Sequence, residues 1–153
     1  MVDLNLFTEH PEGGRFREVY RSARSVRVEG GGVRCGMTHI YFQLCAGEVS
    51  RFHRLGGDEV WSVYRGEGVR LWLWDGVSSG VEVVELSASS GEFCHVVRSG
   101  WWQAAEPLGL EVLVGCTVAP GFEFEDFELM EVGSDAGRRL LGLREGLGHL
   151  IGV

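Results

Sequence analysis

The 153-residue chain carries a formal charge of −8 and is 44% hydrophobic and 24% charged, a balance that suits one soluble globular domain able to bury roughly 70% of its unfolded surface. The acidic balance argues against a nucleic-acid surface, which needs a positive stripe along the phosphates. Its 14 basic residues are all arginine, which excludes Schiff-base chemistry, a pyridoxal-phosphate lysine and a phosphate loop of the Walker type.

Residues 1–9 form a short apolar lead-in, followed by the turn-like His10-Pro11-Glu12-Gly13-Gly14. Arg15–Ser22 alternates Phe16, Glu18 and Tyr20 against arginines and Val19, the pattern of a rather polar edge strand. Ser25–Arg34 holds three consecutive glycines and is expected to be a mobile loop. Met37–Ala46 shows almost no polar alternation, so both its faces are expected to be covered, one by the protein interior and the other by a partner sheet or subunit. Val49–His53 and Glu59–Tyr64 read as two strands around the turn Leu55-Gly56-Gly57-Asp58. Val69–Trp74, Val81–Leu86, Phe93–Val97, Gly100–Ala105, Leu110–Val118 and an aromatic run, Phe122–Met130, continue the series.

Eight or more short strands at intervals of about 8–12 residues indicate a sandwich or barrel. The 24 glycines, more than double the usual share of about 7%, mostly punctuate them. Only the tail differs: Ser134-Asp135 can cap a helix of about two turns over Ala136–Leu143. No linker, repeat or charge block divides the sequence, so residues 1–153 are expected to form a single domain. Cys35, Cys45, Cys94 and Cys116 are isolated in apolar runs and read as buried free thiols. No apolar run approaches the ~20 residues of a membrane span and no signal-peptide pattern is present, so a cytoplasmic location is expected.

The stretch Gly47–Gly66 carries the chemistry. With a period of two, His53 and Leu55 share one face of the first strand, while Glu59, Trp61 and Val63 share one face of the second. The hairpin thus brings an imidazole and a carboxylate together among apolar neighbours. Arg51 has the parity of His53, but a bulge would turn it outward.

The spacing Gly47, His53, Leu55, Glu59, Gly66 resembles the first signature of the cupin superfamily, with leucine where the second histidine stands. Gly100-Trp101-Trp102-Gln103 resembles the second signature, with glutamine in place of its histidine. The ordered motifs HPEGG, SRFHRLGGDEVW, WWQAA and GCTVAPGFEFEDFEL are similar to those of one cupin family labelled a domain of unknown function. The resemblance implies an all-β cupin jelly-roll barrel of two antiparallel sheets with a short C-terminal helix, often a homodimer, with a histidine, a glutamate and a glutamine in its cavity.

His53 and Glu59 are accordingly the candidate catalytic residues. Gln103, Trp61, Trp101 and Tyr41 are candidates for ligand binding, the first three because they share expected faces with one another or with Glu59. Cupins usually hold a divalent metal, and here His53, Glu59 and Gln103 would be the ligands; with one imidazole where two are usual, weak or absent occupancy is expected. His10 and Glu12 suit capping and packing as well as catalysis, and His39, His95 and His149 read as structural. Two functions remain open. One is an isomerase or epimerase moving a proton on a small polar substrate such as a sugar, nucleotide-sugar or keto acid, and the other is a non-catalytic barrel that binds a small metabolite.

Overall fold

The computed structural model describes residues 4–152. In chain order the strands are β1 (Thr8–Glu9), β2 (Arg15–Arg21), β3 (Ser25–Arg27), β4 (Val33–Cys35), β5 (Thr38–Cys45), β6 (Ser50–Arg54), β7 (Asp58–Gly66), β8 (Val69–Trp74), β9 (Glu82–Leu86), β10 (Cys94–Val97), β11 (Trp102–Pro107), β12 (Glu111–Ala119) and β13 (Glu128–Leu129). A six-stranded sheet has the order β1-β2-β5-β12-β7-β10, and a five-stranded sheet β13-β6-β11-β8-β9. All their pairings are antiparallel, and the two sheets close over a common interior as a jelly-roll barrel.

Alternation along the strands sorts side chains between two apolar clusters. Phe42, Leu44, Trp61, Leu71, Leu73, Ala105, Val112 and Val114 fill the space between the sheets. Phe52, Trp72, Trp74, Trp102 and Ala104, one step out of phase, point to the other side of the five-stranded sheet. There Leu140 of the helix α1 (Asp135–Leu143) and Leu147, Leu150 and Ile151 of the tail cover them. The Ser134 hydroxyl accepts the Gly137 N–H and starts α1 where the sequence places its cap.

Three expectations change. Ser25–Arg34 is not a plain loop: Ser25–Arg27 pairs with Val33–Cys35, and the glycines form the tip of that hairpin. The aromatic run Phe122–Met130 is not one strand. It makes a single 3-10 turn at Phe124–Asp126 and only Glu128–Leu129 joins a sheet. The rings of Phe122, Phe124 and Phe127 pack on one another, a cluster that a strict period of two could not form. The four thiols are free, but only Cys116 is buried, and Cys94 is exposed. No helix among the described residues is long and apolar enough to cross a membrane.

Candidate functional site

The site lies at one end of the barrel interior and draws on both sheets and on the turn before β2. His53 on β6 stands directly across from Gln103 on β11, so both side chains leave the five-stranded sheet on its inner face. Glu59 and Trp61 come from β7 of the facing sheet, where Trp61 is paired with Cys116 of β12. The remaining group, Glu12, arrives from the turn at His10–Gly14. Gly13 and Gly14 let that turn press against the barrel. Their φ values are +110° and +69°, and a Cβ would stand 2.1 Å from the Val49 carbonyl oxygen at Gly13 and 2.7 Å from that of Gln43 at Gly14. The Arg51 backbone N–H donates to the Glu12 carbonyl at 2.8 Å and ties the turn to β6.

Glu12 is the hub. Its Oε1 accepts the Ser50 hydroxyl at 2.8 Å, while its Oε2 lies 3.2 Å from His53 Nε2 and 3.3 Å from His10 Nδ1. His53 Nδ1 is 2.8 Å from the Arg51 carbonyl oxygen. A carbonyl only accepts, so Nδ1 carries the proton and Nε2 of the neutral ring presents a lone pair to Glu12. One proton therefore sits between carboxyl and imidazole. Glu12, His53 and Glu59 are only 6%, 2% and 5% exposed, which governs their charges. Burial pushes Glu12 up, against the opposing pull of His10, Ser50 and Arg51. Burial also pushes the His53 and His10 imidazoles down, so both favour the neutral ring.

Glu59 is pushed up to about 7, chiefly by burial, with the charges of His53 and Glu12 acting in opposite directions. Its Oε2 accepts the Gln103 amide N–H at 2.6 Å, and the Trp61 indole N–H donates to Gln103 Oε1 at 2.8 Å. Because an indole N–H is only a donor, it fixes which end of the amide is oxygen, and the NH2 end must meet Glu59. Burial pushes the neighbouring Cys116 thiol up, so it stays protonated.

Of these groups, His10, Glu12, His53, Glu59 and Cys116 open into a cavity of about 650 Å³, counting its open mouth, whereas Gln103 and Trp61 stand outside its lining and bear on it through Glu59. Phe16, Ile40, Phe42, Leu55, Phe122 and Phe124 form its walls. Phe127 lies behind them and stacks on the His53 ring, centroids 5.5 Å apart. The aromatic segment is held by ion pairs at its edges: Arg34 forks onto both Asp126 oxygens at 2.6 and 2.8 Å, and Arg21 meets Glu123 at 2.7 Å.

The structure brings His53, Glu59, Gln103 and Trp61 together. The direct partner of His53 is Glu12, and Glu59 acts on the ring through its charge. Trp101 faces the interior, packing against the apolar core, but opens onto a separate cleft beside His95 and Arg98. Tyr41 stands on the outer face of the six-stranded sheet, edge-on to Tyr64 and beneath Arg17, because Phe42 and Ile40 hold the inward positions of β5. Tyr64 in turn lies over Gly115, where a Cβ would stand 2.3 Å from its hydroxyl. Arg51 turns away from the cavity and donates to the Pro11 and Glu12 carbonyls. The role of Glu12 was legible only as the HPEGG motif, since nothing in the order of residues says which hairpin the turn reaches.

A jelly-roll barrel with its polar groups gathered inside one end defines the cupin class. The chain belongs to the family described as Cupin superfamily (DUF985), whose profile matches residues 1–130. It is similar in structure to a hypothetical protein from Leishmania major (28% identity, 95% of this chain and 90% of that one, TM-score 0.79). Protein SO0799 from Shewanella oneidensis is similar too (30% identity, 95% and 88% covered, TM-score 0.74). KdgF from Halomonas sp. shares the fold at 15% identity (78% and 89% covered, TM-score 0.56). A search of curated proteins gave no significant match.

The metal set implied by the cupin signatures does not fit these residues. Leu55 occupies the second imidazole's position in the cavity wall, Gln103 Oε1 is taken by Trp61, and His53 Nε2 is turned to Glu12. Among the described residues, no three His, Cys, Asp or Glu side chains are grouped to hold an ion.

Proposed function

We propose that this barrel binds a small molecule and moves a proton on it, as an isomerase or epimerase does, with Glu59 as the base and the Glu12–His53 pair as the acid. The observation that carries the reading is two buried carboxyl groups in one cavity with different duties. Glu59, at about 7, divides between acid and carboxylate near neutral pH, which suits a general base. Glu12 shares a proton with His53 and can release it into the cavity. On an enolisable carbonyl compound, Glu59 takes the proton from carbon while the Glu12–His53 proton goes to the carbonyl oxygen. Where the deprotonated carbon bears a hydroxyl, Glu59 then gives its proton to the former carbonyl carbon while that hydroxyl returns a proton to the Glu12–His53 pair, which delivers the isomer and restores both groups.

Native mass spectrometry of freshly purified protein identifies what the cavity retains, and incubation of that compound in D2O tests the chemistry. Deuterium should enter the carbon beside the carbonyl, and Glu59→Gln should slow its entry by about 10²–10⁴-fold. Exchange above the protein-free rate but equal in wild type and Glu59→Gln would remove Glu59 as the base, and tight binding with no exchange above that rate in either would replace this reading with a non-catalytic binding barrel.

We also propose that the chain forms a homodimer through the outer face of β5. His39 and Tyr41 on that face are half-buried and Tyr64 beside them is half-exposed, which supports the assignment. Light scattering at micromolar concentration tests it, with a stable monomer as the contrary result.

A further inference from the structure

We infer that the cavity takes a ring-bearing molecule with no anionic group, an uncharged carbonyl compound or an amine, and turns away carboxylates and phosphates. The inference rests on the cavity being the binding site and names the substrate class of that site, which sets aside the nucleotide-sugars and keto acids among the expected substrates.

The first ground is the supply of positive charge. Among the described residues, Arg21 is the only arginine lining the cavity. A guanidinium has five N–H donors. The Arg21 Nε donates to Glu18 Oε1 at 3.1 Å, and Nη2 donates to Glu18 Oε2 at 2.9 Å and the Phe122 carbonyl at 3.3 Å. Its Nη1 donates to Glu123 Oε1 at 2.7 Å and Cys35 Sγ at 3.6 Å. All five are spent, and the two glutamates outweigh the one cation at the mouth. Arg51, whose charge reaches Glu12, is turned onto backbone carbonyls and lines a different cleft. Arg34 is committed to Asp126 and Glu125. An incoming phosphate or carboxylate would give up its hydration and find no cation in return.

The second ground is the floor. Glu12 and Glu59 are the acidic groups there, joined at the rim by Glu18 and Glu123, and each repels an anion whenever it is ionised. The third is the walls. Phe16, Phe42, Phe122 and Phe124 offer ring faces and edges to an apolar ring, and the same faces attract a protonated amine. An uncharged carbonyl has its own partner in the proton held between Glu12 and His53.

Ligand-observed NMR on the wild-type protein at neutral pH, with millimolar benzylamine, cyclohexanone and benzoate, tests the inference. Benzylamine or cyclohexanone should give saturation transfer, and benzoate should bind at least about tenfold more weakly than the better of the two. Benzoate binding as well as they do, or neither of them binding, would overturn it. In the double variant Glu18→Gln/Glu123→Gln, which leaves the catalytic groups untouched and frees the Arg21 fork, benzoate affinity should rise about tenfold. No rise in a folded variant would refute the assignment of anion exclusion to the mouth. Only binding is read, so absence of proton exchange would sink the isomerase reading and leave this one standing, whereas benzoate capture would overturn this one even where exchange is found.

Discussion

Glu12 Oε2 lies 3.2 Å from His53 Nε2, and the carbonyl of Arg51 behind the ring dictates how the two share a proton. With Nδ1 committed to that carbonyl, the imidazole is held as the Nδ1–H tautomer whenever it is neutral. Nitrogen-15 NMR of labelled protein at pH 7 should find His53 Nδ1 protonated and Nε2 acting as acceptor. A neutral Nε2–H ring would mean that Glu12 is ionised and accepting, and the acid role would move elsewhere.

Glu59 makes stability depend on pH with a definite sign. Its folded value of about 7 lies above the ordinary 4.5, so the folded state binds the extra proton between those limits. The stability this provides is complete below about pH 4.5 and is lost as pH rises through 7, an effect of up to about 3 kcal/mol. The buried His53 and His10 run the other way, since their lowered values cost stability as pH falls below 6.5. Comparison with Glu59→Gln isolates the carboxyl. In urea unfolding, the variant should gain on wild type steadily from pH 4.5 to 7.5. A constant difference across that range would show that Glu59 titrates normally.

Gln103 joins Trp61 to Glu59, so removing it orphans two buried groups at once. Gln103→Leu should lower stability by about 2–5 kcal/mol in urea unfolding, the cost of leaving an indole N–H and a carboxyl unpaired. Gln103→Glu should keep the Trp61 bond but set a second carboxyl against Glu59, and the pH at which Glu59 ionises should move further up. A neutral outcome for the leucine variant would mean that water replaces the amide.

Leu55 lines the same cavity as His53 and Glu59, at the place where the signature has its second histidine. Leu55→His should therefore raise affinity for zinc or nickel, read by equilibrium dialysis, and wild type should release either ion to a chelator. Tight stoichiometric metal in wild type, or no gain in the variant, would contradict the geometry assigned to this hairpin.

Much of the barrel was legible because alternation is a local signal. His53 and Leu55, and Glu59 with Trp61, fall on the faces that their parity assigns, while Gln103 was placed by the resemblance of Gly100–Gln103 to the second cupin signature. Local parity also marks its own limits. It placed Trp101 against the core but could not say that this residue, just before β11, opens onto another cleft. Tyr41 alternates out of phase with Phe42, and in a strand apolar on both sides nothing in the sequence states which phase is inside. The Phe122–Phe127 segment misled because its rings are gathered by contact with one another, against the strand period. The pairing of Glu12 with His53 spans about 40 residues and is set by how closely two glycines let one turn approach β6, a distance that no periodicity encodes.

The tail beyond residue 130 lies outside the stretch matched by the family profile, yet it touches the back of β6, the strand that carries His53. Phe52, next to His53, is fully buried beneath Leu140, Leu147, Leu150 and Ile151 together with Trp72 and Trp102. A chain cut at residue 130 would turn that wall into an adhesive surface, a continuous aromatic patch of the kind that drives aggregation. Residues 131–152 thus act as a gasket, sealing the outside of the wall whose inside aims the imidazole.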